Sequence, residues 1–149
     1  MKLKIPPVLQ FIIFSILMWI VTKVTTIHFT FERQKFISFF LFLIGIFINL
    51  TALYPFSKAK TTVNPLDPSV TSKLVVVGIY KYSRNPMYLG MLIGLMGGCI
   101  LLGNYINITI LVLFIWYIST FQIKPEEKIL TTLFGEEYTL YCKKVRRWI

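Results

Sequence analysis

Chemistry-bearing residues are scarce in this 149-residue chain, which has one histidine, His28, two cysteines, Cys99 and Cys142, and no CxxC pair. Tetrahedral zinc sites draw on four Cys or His ligands and disulfide frameworks on regularly spaced cysteines, so neither is expected and no metal is assigned. Acidic residues number 6 against 16 lysines and arginines, and from Asn85 to Ile123 there is no charge of either sign.

What fills the chain instead is apolar. It is 56% hydrophobic and 16% aromatic, with a mean hydropathy of +0.70, the composition of a membrane protein. Several spans of about twenty residues would use more than half of its length, which leaves room for one domain over residues 1–149 and no separate soluble one. The net charge of +10 lies in short segments beside the apolar runs. Positive-inside bias and attraction to anionic membrane lipids account for it, and no nucleic-acid partner is expected.

Four apolar runs are predicted to be helical spans. The first covers roughly Val8 to Val24 and the second Phe36 to Phe56, so residues 1–56 hold two N-terminal spans. The first is expected to stay uncleaved, because its run is long for a signal peptide and no small-x-small site follows. The uncharged stretch from Asn85 to Ile123 would, as one helix, be nearly twice the bilayer thickness. It is therefore divided at "GNYIN", Gly103 to Asn107, into an antiparallel hairpin of about Met87 to Leu102 and Tyr105 to Ile123. Gly90, Gly94, Gly97 and Gly98 on the first arm would let a neighbouring helix approach closely.

The N-terminus, the loop Ser57 to Arg84 and the tail beyond Ile123 are basic and are expected to share the cytoplasmic face. The first loop, with Lys23, Arg33 and Lys35 against Glu32, fits that orientation less well. Pro125, Glu126 and Glu127 suit the start of a tail helix and Lys143 to Arg147 its end. Its apolar stripe, with a break at Gly135, predicts an interfacial helix pair rather than a fifth span. The fold expected is thus an all-α integral membrane protein with about four transmembrane helices, a C-terminal hairpin, a cytoplasmic loop and an interfacial tail.

Antiparallel pairing would set Arg84 to Tyr88 beside Gln122 to Glu127. A cation, amides, tyrosines and carboxylates would then line one pocket suited to a polar, zwitterionic ligand. A plainer reading of the same residues is that Arg84 and Lys81 meet lipid phosphates and Glu126 caps a helix.

"LVVVGIYKYSRNPMYLG", the uninterrupted hairpin and "EEKILTTLFGEEYTLYCKKV" follow one another at a spacing that resembles the C-terminal signature of the isoprenylcysteine carboxyl methyltransferase family. That family is related to the integral-membrane phospholipid methyltransferases. The likeness covers roughly Asn64 to Val145. It implies methyl transfer from S-adenosylmethionine, held at the cytoplasmic face, to a lipophilic or prenylated substrate that arrives through the bilayer. By position it implies cofactor contacts at Ser72, Lys73, Leu74, Val75, Tyr80, Asn85, Pro86, Met87, Tyr88 and Glu126. Arg84, Asn85 and Glu126 would stand at the reacting groups and Gln122 at the substrate.

Two departures narrow that implication. Eukaryotic members carry histidine at the position of Asn85, and asparagine cannot titrate, so general-base chemistry by this residue is excluded. Their substrate-anchoring arginine, one helical turn before the glutamate, aligns with Gln122, so a carboxylate acceptor loses its cationic partner here. Length and composition resemble small prokaryotic members, placing the chain in a cytoplasmic membrane with carboxylate, amine and thiol acceptors all open. A non-catalytic lipid-binding scaffold is the alternative. A transporter fits less well, since no ionisable residue falls near a bilayer midplane. The oligomeric state stays open.

Overall fold

The structure, a computed structural model, describes residues 5–59 and 73–149. Five helices carry it: α1 (Pro7–Val24), α2 (Gln34–Ala59), α3 (Pro86–Leu102), α4 (Ile106–Ile118) and α5 (Lys124–Lys144), with a short 3-10 helix at Gly78–Lys81. Among the described residues the one β contact is a bridge between His28 and Asn104. The all-helical expectation holds. Three helical runs, Pro7–Val24, Gln34–Pro55 and Ile106–Lys144, are long and apolar enough to cross a membrane, and Pro86–Leu102 is a shorter apolar helix. Its 17 residues span about 25 Å.

Local chemistry sets the helix ends. Prolines occupy the first turns of α1 and α3, where a missing N–H leaves no bond unmade. Helix α3 stops at Gly103, whose φ of 58° lets its N–H cap the carbonyls of Cys99 and Ile100. The "GNYIN" turn is therefore real, and the first loop pins it: Phe29 N–H donates to Gly103 at 2.7 Å and Tyr105 N–H to Ile27 at 3.3 Å. The start of α1, the 3-10 helix, the start of α3 and the tail gather at the opposite end, as expected for the basic segments.

The neighbour that the α3 glycines admit is α2. Although α3 and α4 are joined by the tight turn, the close backbone approach of α3 is to α2, where Gly45 meets Gly90 and Gly94. A Cβ on Gly45 would lie 2.7 Å from the Gly90 carbonyl and 3.1 Å from the Gly94 nitrogen. Ile110, Phe114 and Ile118 of α4 instead hold α3 at side-chain distance, and α1 wedges Phe14 and Met18 against both. The Phe14 and Phe114 rings meet edge to face at 5.2 Å. Short polar bonds fix the registers: Ser38 to the Gly97 carbonyl at 2.8 Å, Asn107 to Thr22 at 3.0 Å and Asn104 to Thr25 at 2.7 Å.

Gly45→Ala should therefore push α2 from α3 and lower the melting point in detergent, at a cost of about 1–3 kcal/mol. Gly98→Ala is the control, since its Cβ would find its nearest neighbour, a Phe42 ring atom, at 3.9 Å. Equal melting of Gly45→Ala and the wild type would rule out the backbone contact.

The fourth span runs into the tail without a loop, which departs from an interfacial segment starting separately at Lys124. Ser119–Ile123 forms a π turn in which Lys124 N–H reaches back to the Ser119 carbonyl, and α5 follows directly. Charge is absent through Ile123 and frequent after Lys124, so the membrane span ends there. The break at Gly135 is present, with φ 50° and ψ −117° in surroundings open enough for the chain to turn. Beyond it Tyr138, Tyr141 and Val145 return onto Leu74 and Val76.

Candidate active site

The π turn decides which face of the tail meets α3. Its wider turn re-phases the helix, so Gln122 is buried and Glu126, one α-turn on, points the same way. The Tyr88 hydroxyl, two residues into α3 from Pro86, donates to Glu126 Oε2 at 3.1 Å. Gln122 hydrogen-bonds Tyr88 as well and accepts a bond at 3.2 Å from Gln10 of α1. As a residue Glu126 is half-buried, yet its carboxyl is enclosed. Burial pushes its pKa up to about 7, opposed by the Tyr88 hydrogen bond and reinforced by the neighbouring Glu127.

Tyr80 approaches from the 3-10 helix. It is buried with Ala52 and Val75, and Met87 packs beside them. Burial, with the Glu126 charge next in size, pushes its phenol pKa upward. Its carbonyl accepts the Tyr141 hydroxyl at 2.7 Å, which ties this wall to the tail.

A second set of charges stands behind the first. Glu127 pairs with Arg84 at 3.0 Å and with Arg147 at 2.7 Å, the latter through both carboxylate oxygens. Arg84 N–H donates to the Arg146 carbonyl at 3.1 Å, and the Asn85 side chain donates to the Arg147 carbonyl at 2.9 Å. The start of α3 thus grips the residues after α5 like one side of a ladder. Arg84 Nε is buried without a partner.

The expected residues fall into three groups. Tyr80, Tyr88, Gln122 and Glu126 converge. Arg84 and Asn85 stand beside them, engaged with the tail, and Pro86 begins α3. Val75 and Met87 pack behind Tyr80, Leu74 packs on the tail, and Lys73 is exposed. Ser72 lies outside the described residues. Leu74 and Val76 also line a cleft of about 470 Å³ with Lys81, Leu140, Tyr141 and Lys144.

Sequence reasoning missed Gln10 and Arg147, and it set Glu127 beside Arg84 without the Arg147 pairing. Gln10 was legible as the lone amide in "PVLQFIIF", an expensive residue for a span interior. The Arg147 pairing was not, because it links Glu127 to a residue twenty positions on through a tail whose path depends on Gly135.

A family model described as phospholipid methyltransferase matches residues 33–137. The protein-S-isoprenylcysteine O-methyltransferase of Schizosaccharomyces pombe is 40% identical over 72 residues, 48% of this chain and 30% of that protein. A probable protein-S-isoprenylcysteine O-methyltransferase of Oryza sativa subsp. indica is 29% identical over 111 residues, 74% of this chain and 58% of that protein. An uncharacterized protein of Haemophilus influenzae is 43% identical over 63 residues, 42% of this chain and all of that protein. The chain thus spans from under a third to a little over half of these named methyltransferases. The family match takes in α2, α3, α4 and the Glu126–Glu127 pair, and on that extent the chain belongs to the phospholipid methyltransferase family.

Proposed function

We propose that this protein is an S-adenosylmethionine-dependent methyltransferase, acting on a lipophilic or membrane-borne acceptor at the cytoplasmic end of its helices. The observation that carries the reading is Glu126: a carboxyl enclosed where α5 meets α3 that, among the described residues, is met by a tyrosine rather than a cation. Both ion pairs among the described residues go to Glu127. A buried carboxylate without a counter-charge suits a cationic or hydroxyl-bearing ligand.

The donor set fits the cofactor. Glu126 would accept from its ammonium group or a ribose hydroxyl, and the unpartnered Arg84 Nε–H would take its carboxylate. Tyr80 and Tyr88 would present ring faces to adenine or sulfonium. When bound, S-adenosylmethionine supplies a methyl group on a positively charged sulfur. The chain's own part is to hold the nucleophile in line at roughly 3 Å and keep the site dry. Buried Tyr88, Gln122 and Ile123 exclude water, while Asn85 and Arg84 fasten the tail that closes this end. Asn85 moves no proton. Gln122 offers the acceptor an uncharged amide, and a prenylcysteine carboxylate ranks behind a lipophilic acceptor that needs no cation.

The test is incubation of detergent-purified protein with methyl-labelled S-adenosylmethionine and a total lipid extract. Label is expected in the organic phase, as a base-labile ester or a stable amine. No incorporation, with prenylcysteine analogues and lipophilic thiols also failing, would favour a lipid-binding scaffold instead.

A further inference from the structure

The chain leading into the 3-10 helix has two faces. Leu74 to Val76 lies outside any helix, and its side chains alternate. Val75 turns in to Ala52 and Tyr80, whereas Leu74 and Val76 lie against Tyr138, Tyr141 and Val145 of the tail. On this second face is the cleft of about 470 Å³, and Tyr80, Tyr88, Gln122 and Glu126 do not line it. Its size falls in the range of roughly 300–1,000 Å³ that small-molecule sites occupy. Leu74, Val76 and Lys81 form one wall. The other is a single face of α5, where Glu137, Leu140, Tyr141 and Lys144 follow one another at helical spacing, with Val145 at its end.

The chemistry of the cleft is divided. Its floor is carbon, from Leu74, Val76, Val145 and a Leu140 that is 48% exposed. Tyr141 has committed its hydroxyl to the Tyr80 carbonyl at 2.7 Å, which leaves its ring to the cleft. Lys81 and Lys144 are exposed, and among the described residues neither has an ion-pair partner, since both pairs go to Glu127. Two bonds between the walls, from Tyr141 to the Tyr80 carbonyl and from Arg84 N–H to the Arg146 carbonyl, bracket Lys81 on one side and Lys144 on the other. Glu137 stands two turns before Lys144, about 10 Å along the helix. Two lysines against one glutamate leave a single net positive charge. Charge resumes in the chain after Ile123, so this end of the molecule lies level with the lipid headgroups.

We propose that this cleft binds one anionic phospholipid, with its phosphate between Lys81 and Lys144 and an acyl chain along the apolar floor. An inorganic anion would gain nothing from the carbon floor, an uncharged lipid would leave both ammonium groups unpaired, and a polyanion would meet Glu137. The seated lipid bridges the segment that leads to Tyr80 and the tail that ends in Arg147, and so holds the tail over the end of the helices. This site exists whether or not the protein transfers methyl groups.

Lipid-free protein in a neutral detergent is titrated with short-chain phosphatidylglycerol and with phosphatidylcholine of the same chains, and bound lipid is counted by native mass spectrometry. A neutral micelle has no surface potential of its own, so only a local site can separate the two lipids. Phosphatidylglycerol is expected to bind one per protein, and Lys81→Gln and Lys144→Gln to weaken it about fivefold each. Lys128→Gln and Lys143→Gln remove the same charge from exposed positions outside the cleft and should leave the affinity unchanged. Leu140→Asp, at an exposed position of the floor, should abolish binding by setting a charge against the chain. Equal binding of the two lipids, equal weakening by all four lysine variants, undiminished binding in Leu140→Asp, or glycerol phosphate binding as well as the lipid would each overturn the proposal. Displacement of the lipid by S-adenosylmethionine would overturn it too, by placing the cleft within the cofactor site.

Discussion

Glu127→Ala is expected to release the segment after Val145 and to lower stability by about 1–3 kcal/mol, the cost of leaving partly buried charged donors without their acceptor. Two guanidiniums depend on this carboxylate. Without it Arg84 and Arg147 face each other across a partly buried gap, with Arg84 Nε already unpartnered. The tail would relieve the repulsion by leaving, and the bonds from Arg84 N–H and Asn85 to the Arg146 and Arg147 carbonyls would go with it. Trp148, which packs against the α1–α3–α4 core, would be exposed. Limited proteolysis cutting after Lys144, together with a red-shifted tryptophan emission, reads this directly. Arg147→Ala should be milder, because Glu127 keeps Arg84 and the guanidinium lost is more exposed. An undiminished melting point and an unchanged digestion pattern in Glu127→Ala would show that the cluster does not hold the tail.

Glu126→Gln should have the largest effect on ligand binding, a loss of cofactor affinity of roughly 10- to 100-fold at pH 8, the range expected when a charge-assisted hydrogen bond is replaced by a neutral one. It should also change how stability depends on pH, in the opposite sense to a salt-bridged carboxylate. The native pKa of about 7 lies above the ordinary 4.5, so the folded protein holds the proton more tightly than the unfolded chain. That contribution is complete below about pH 4.5 and is lost as the pH rises through about 7. Its upper limit is about 3 kcal/mol, from roughly 1.4 kcal/mol per pKa unit. Glu126→Gln removes this slope, so without ligand the variant should melt higher than the wild type at pH 8 while binding the cofactor worse. A variant that melts lower at pH 8 and binds normally would contradict both the buried carboxylate and its assignment to the ligand.

These outcomes bear on how far the residues alone could be read. Membrane character, all-helical class, the turn at Gly103 and the break at Gly135 follow from local rules: long uncharged runs need hydrocarbon, and positive φ favours glycine. That Tyr88 and Glu126 stand side by side was legible in the antiparallel pairing. The partner of the α3 glycines was not, since small residues announce a close neighbour without saying which one. Gly45 on α2 answers that only once the helices are packed. Asn85 and Arg84 look like reacting groups in the sequence. In three dimensions their bonds run to a tail some sixty residues away.

Hydropathy and charge along the chain determined by themselves that this protein lies in a membrane, where its apolar runs lie and at which end its basic segments gather, because each of these is a sum over neighbours in sequence. Only the tertiary structure decided that Glu126 faces Tyr88 while Glu127 takes both arginines. Adjacent positions on a helix point about 100° apart, and where that pair points was set by one π turn in "STFQI" and by the wedge of α1 that brings Gln10 against Gln122.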